Sequence, residues 1–334
     1  MTEPRLAATL PKLELHSHLE GVISPNLARR LAQRNQIKLD DNLFDGEGNF
    51  AWDDFVGFLK AYDMASACIR KPQDYRDVTY EYLMELAAHG AIYAETFSSP
   101  DHAAMVGMNY EQHLEGIIQG IDDAYRDSGM IGRLNISCVR HLGADSALNV
   151  AKQMVACPHP YVVGFGMGGN EAMYDYKDFI PAYRLAGEHG YHLTAHAGEF
   201  GGAQNVKDAI DDLQVSRIGH GVRVIEDKDI LAMVVERKIM LEVCPGSNIA
   251  LQVFPDYAHH PLLQLIEAGC KISLSSDDPP YFASSLHGEY ERAMDVFGLD
   301  LAKIHQINRD TLQAAFCDEN TKTILAQKLT LCEQ

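Results

Sequence analysis

The chain has little of what would place it outside the cell or on a membrane. Its seven cysteines (68, 138, 157, 244, 270, 317 and 332) are odd in number, scattered, and free of C-x-x-C spacing. That argues against a disulfide framework and fits reduced thiols in the cytoplasm. No basic stretch followed by an apolar run opens the sequence, so no secretory signal is expected. Nowhere do eighteen apolar residues follow one another, which excludes an ordinary transmembrane helix. Positive charge is also scarce: 28 Lys and Arg stand against 47 Asp and Glu, a formal charge of −19. Phosphate backbones and anionic lipids need a concentrated basic surface, so neither a nucleic acid nor a membrane is an expected partner. Linkers are missing too. No Pro-rich, Ser-rich or like-charge run divides the 334 residues, and no internal repeat is visible, so one domain spanning 1–334 is expected.

What is present is a full core, with 46% hydrophobic and 22% charged residues. Short apolar runs alternate with longer amphipathic ones from end to end. Strand patterns fall at about 13–18, 91–98, 134–141, 161–166, 191–196, 216–220, 239–244 and 270–276. Between them apolar residues recur three and four apart, as in Gln112–Arg126, Tyr176–His189, Asp227–Arg237 and Pro261–Ala268. Eight strand-helix units predict a closed parallel (β/α)8 barrel, the TIM-barrel architecture. About seventy residues separate the first two strands, more than one crossover helix requires. They hold helical patterns at Asn26–Arg34, Trp52–Ile69 and Pro72–His89, read as a helical insertion over the barrel mouth.

Chemistry-bearing residues cluster where these strands end, which is where barrel sites form. The first strand leaves as Leu15-His16-Ser17-His18-Leu19-Glu20-Gly21. Alternate strand residues point the same way, so His16 and His18 can grip one ion. An isolated H-x-H is more often structural, but here it has company. The fifth strand leaves as His196-Ala197-Gly198-Glu199, the sixth as Gly219-His220-Gly221, the eighth as Ser276-Asp277-Asp278-Pro279. Three imidazoles and one carboxylate make a zinc shell with a position left open for water. Glu199 suits a general acid if burial raises its pKa, and His220 suits a proton acceptor or an electrostatic stabiliser. Adjacent Asp277 and Asp278 repel unless one holds a cation while the other meets a substrate.

Two motifs point elsewhere and fail. Gly164-Phe165-Gly166-Met167-Gly168-Gly169 matches the dinucleotide fingerprint, but it follows the fourth strand instead of the first. Asn170-Glu171 would also turn negative charge toward a pyrophosphate. His18-Leu19-Glu20 and His287-Gly288-Glu289 match H-x-E, but the P-C-x-x-C that cytidine-type zinc deaminases require is absent.

Taken together, H-x-H-L-E-G, H-A-G-E, G-H-G and S-D-D-P occur in the order of the adenosine and adenine deaminase family of the amidohydrolase superfamily. The resemblance runs from Leu13 to about Phe316. It implies a distorted (β/α)8 barrel, one zinc per chain, and hydrolytic loss of an exocyclic purine amine. By motif, His16, His18, His196 and Asp277 would hold zinc, and Glu199 would protonate N1. His220 would handle the attacking water, Asp278 would meet N7, and the Gly169 amide would donate to N3. Cys244-Pro245-Gly246-Ser247-Asn248 and Ser284-Ser285-Leu286 look closer to bacterial adenosine deaminases. Glu20, where many of those have aspartate for the ribose, and Tyr281-Phe282 resemble the adenine branch. The small-molecule substrate expected on this reading is a purine nucleoside, adenosine or deoxyadenosine, with Glu20 accepting from a ribose hydroxyl. Free adenine is the alternative.

Overall fold

The computed structural model describes residues 10–332 together with Ala7. Eight parallel strands pair in chain order: β1 Lys12–Glu14, β2 Ala91–Ser98, β3 Ile131–Val139, β4 Val162–Gly168, β5 His192–Ala197, β6 Arg217–His220, β7 Met240–Val243 and β8 Lys271–Leu274. This is the (β/α)8 barrel, with helices around a parallel sheet. The circle closes past the strand ends, where Ser17 bridges Asp277 and the Asp277 amide donates to the His16 carbonyl at 3.0 Å. Pairing is thinnest between β4 and β5, where only Gly164–His192 and Phe165–Leu193 are in register.

The first strand is shorter than its apolar pattern. It stops at Glu14 because that side chain takes over the ladder's work, accepting from the His16 amide at 3.1 Å and from the Ser276 amide and hydroxyl at 3.1 and 2.6 Å. His16 and His18 therefore sit just beyond β1, on a segment bridged to both neighbours.

The long β1–β2 connection holds α1 (Pro25–Arg34), α2 (Phe55–Ser66) and α3 (Pro72–Ala88). Ser24 caps α1 and Asp54 caps α2, each accepting a backbone N–H of the first turn. The third helix belongs to the barrel wall instead of the cover. It lies against the helix Tyr110–Ser128 so closely that a Cβ on Gly116 would stand 2.1 Å from the Pro72 carbonyl oxygen. Over the mouth, Phe58 of α2 packs against Tyr281 and Phe282 with ring centroids 5.4 and 5.0 Å apart. Six of the cysteines are free thiols, five of them buried; the Cys332 side chain lies outside the described residues. Among the described residues no helix is long and apolar enough to cross a membrane.

Candidate active site

His16, His18 and His196 converge at the C-terminal end of the barrel. The His196 Nε2 atom lies 3.1 Å from His16 Nε2 and 3.2 Å from His18 Nε2. Asp277 Oδ1 is 3.4 Å from His18 Nε2 and 3.8 Å from His16 Nε2. His16 Nδ1 is 2.7 Å from a Glu242 carboxylate oxygen, and His196 makes its other hydrogen bond to the Met167 backbone. His16 and His196 thus spend their protons on the far side and turn a bare Nε2 inward. Two lone pairs facing each other at 3.1 Å repel unless a cation lies between them. A tetrahedral ion with bonds of 2.0–2.1 Å has ligand–ligand edges of about 3.3 Å, close to the spacings found. The donor set therefore fits a divalent metal of zinc's size.

Strain marks the same place. His220 and Asp277 both adopt left-handed backbone conformations, with φ of 61° and 63°, although neither is glycine. That conformation turns His220 off β6 so that its Nε2 stands 3.7 Å from Glu199 Oε2 and 3.8 Å from Asp277 Oδ2. His220 also falls within metal-binding range of His16 and Asp277, and Asp278 within range of His18 and Asp277. Glycine makes the room: a Cβ on Gly219 would lie 2.8 Å from the His16 ring.

Glu199 is buried, and its carboxyl is pushed well above the usual range by that burial, then by Asp277 and Glu171. Asp278 is raised likewise, by burial first and then by its neighbour Asp277. Glu199 Oε1 and Asp278 Oδ1 are both buried without a protein partner, and both residues line one cavity with Gly169, Glu20, His18 and His196. Every site residue expected from sequence thus borders one space or the cluster beside it.

Three carboxylates escaped the sequence reading. Glu242 orients His16, and Glu14 ties the start of the metal segment to Ser276. Glu171, set aside as an obstacle to pyrophosphate, is a clamp. Its carboxylate accepts from the amides of Gly198, Glu199, Phe200 and Gly201 at 2.6, 3.1, 2.9 and 2.9 Å, and from Asn205 Nδ2 at 3.0 Å. It fixes the loop that carries Glu199. Only its place two residues after Gly169 hinted at this.

Another part of the cavity wall is built around Glu20. Its Oε1 accepts from the Tyr75 hydroxyl at 3.1 Å, the Ser98 hydroxyl at 2.6 Å and the Ser99 amide at 3.3 Å. Behind Ser98 stands His113, fully buried, with Nε2 2.7 Å from the hydroxyl.

Comparison with known proteins bears on what this arrangement does. The family model for adenosine deaminase matches residues 11–331. A protein of Chelativorans sp. named adenine deaminase is 43% identical over 96% of this chain and 98% of its own length. One of Rhizobium meliloti with the same name is 40% identical over 97% and 99%. Among solved structures, adenine deaminase from Arthrobacter aurescens superposes with a TM-score of 0.90 at 30% identity, covering 96% of this chain and 98% of that one. An amidohydrolase from Burkholderia ambifaria, solved with bound Zn, reaches 0.90 at 29% identity, covering 100% and 94%. The expectation of adenosine or deoxyadenosine as substrate is thereby overturned, since relatives matched over nearly their whole length carry the name of the free-base enzyme. The physical reason lies at Glu20, the expected ribose partner, whose Oε1 is already taken by three donors of the wall. The sequence places this chain, a hydrolase of C–N bonds in cyclic amidines, in the adenosine deaminase family.

Proposed function

We propose that this chain hydrolyses free adenine to hypoxanthine and ammonia, as a single domain spanning 1–334 with one zinc ion held by His16, His18, His196 and Asp277. The observation that carries the free-base reading is the bracing of Glu20 in the cavity wall. Buried Glu20, held by Tyr75, Ser98 and Ser99, would close off the room a sugar needs. The names of the relatives support the same choice, and the lone-pair opposition among the histidines supports the metal.

Zinc bound there would supply Lewis acidity, making a water acidic enough to ionise near neutral pH. The remaining work falls to the protein's own groups. Ring carbon C6 is a poor electrophile until N1 is protonated, and Glu199, held protonated by burial, would deliver that proton. Asp278, also raised, would donate to N7, and the Gly169 amide would meet N3. His220 would face the attacking water. Oxygen adds at C6, the C6–amine bond breaks, and the two water protons end on N1, by way of Glu199, and on the departing ammonia. A small neutral base suits an acidic chain that has no use for nucleic acid or membrane, and the scattered free thiols suit the cytoplasm.

The test is side-by-side turnover of adenine, adenosine and deoxyadenosine by the zinc-loaded protein. Adenine should lead in kcat/KM by orders of magnitude; a preference for either nucleoside overturns the reading.

A further inference from the structure

The His220 ring can carry its proton in either of two positions, and they give opposite chemistry. With the proton on Nδ1, a bare Nε2 can take a proton from water. With the proton on Nε2, the ring can only donate a hydrogen bond until it becomes a cation.

The surroundings of His220 decide between them through residues behind its Nδ1. The chain of contacts starts at the backbone N–H of Leu262, which can only donate, and lies 3.2 Å from His260 Nδ1. His260 must therefore accept there and carry its proton on Nε2. Its burial lowers its pKa to about 3, so the ring is neutral and holds just one proton. His260 Nε2 lies 3.1 Å from Asn248 Oδ1, which accepts it. That contact orients the amide, so Asn248 Nδ2 is the atom 3.3 Å from His220 Nδ1, and it donates. Asn248 is fully buried and His260 nearly so, so water does not offer either an alternative partner.

We infer that Asn248 and His260 are positioning residues that hold the His220 proton on Nε2, so that His220 acts on the attacking oxygen as a hydrogen-bond donor and not as its base. The other side of the ring agrees. Nε2 faces a carboxylate oxygen of Asp277 at 3.8 Å, which is an acceptor. A bare Nε2 would oppose the Asp277 carboxylate and would set Nδ1–H against the Asn248 N–H. Turning the amide over merely moves the conflict, because His260 Nδ1–H would then meet the Leu262 N–H. A donor aimed at the oxygen gains strength as negative charge develops there during addition to C6.

The inference rests on the deaminase reading for the identity of that oxygen, but its first test needs no substrate. In zinc-loaded protein with 15N-labelled histidine, the His220 resonances, assigned by comparison with His220→Gln, should show a proton on Nε2 and none on Nδ1. A single proton on Nδ1 overturns the inference. The second test gives the two roles opposite signs. Asn248→Asp keeps the shape and still accepts from His260, but it now demands a proton from His220 Nδ1, which bares Nε2. The 15N signature should switch, and kcat should fall about 100-fold or more with KM for adenine and zinc content held, as when one oriented donor is lost. A kcat equal to or above wild type, with the signature switched, means that His220 is a base and the inference is wrong. Failure to turn over adenine while His220 keeps Nε2–H would sink the substrate reading alone.

Discussion

The two ends of the cavity are built on different principles. At the metal end, His16, His18, His196 and Asp277 come from strand termini or the residues just past them, and each is held by backbone pairing or by a buried carboxylate behind it. At the far end, Glu20 is held by Tyr75 of α3 and by Ser98 and Ser99 where β2 ends. The first end is set by the barrel, the second by side-chain hydrogen bonds. On the proposed reading the first would serve the reaction on any aminopurine and the second would choose which purine enters, so substitutions at the two ends should part company.

Stripping the metal should have the largest effect. Dialysis against a chelator is expected to lower adenine and any residual adenosine turnover alike, by about 10,000-fold, on the order of 5 kcal/mol, with recovery when zinc returns. Metal analysis alongside the assay checks it; full activity without metal would break the metal end of the comparison. Glu199→Gln comes next. It should retain fold and zinc while losing about 100- to 10,000-fold in rate on every substrate, because an amide cannot deliver the proton to N1.

Glu20→Ala should act in the other direction, on the ratio. The variant opens the far end, so adenine kcat/KM should fall while adenosine is spared or gains. The preference should narrow by about tenfold or more, a shift on the order of 1.4 kcal/mol. Equal losses on both substrates would remove Glu20 from the specificity wall. Glu171→Gln sharpens the contrast from the side of stability. Weakening a carboxylate that serves four backbone amides should cost about 1–3 kcal/mol in urea unfolding and lower kcat more than KM. The smallest effect is expected far from both ends: Arg30→Ala, which breaks an exposed pair with Glu81, should change stability by less than about 1 kcal/mol and leave turnover alone.

Much of the metal end could be read from the sequence because its signals are local. The pair His16 and His18, the runs His196–Glu199 and Ser276–Pro279, and the apolar strands before them are short patterns that need no knowledge of neighbours. All eight strands form where apolar runs end in polar residues, with β1 cut short by its own Glu14. The insertion was legible as helices, but not that α3 stands in the wall, since that depends on Gly116 and Gly120 of a later helix admitting it. The substrate was misread for the same kind of reason. Glu20 looks like a ribose partner in sequence, and only Tyr75, Ser98 and Ser99 gathered around one of its oxygens make it part of a wall.

The sequence by itself determined the barrel and the class of reaction, and picked out the histidines and aspartates that the fold brings together, because strand periodicity and the residue types at strand ends are properties of a few neighbouring positions. Tertiary structure alone decided the rest. Glu242 meets His16 across 226 residues, and Asn248 reaches His220 across 28 and His260 across 12. A buried carboxylate or imidazole acquires its proton and its direction from whatever the fold packs against it, and no spacing along the chain records those partners.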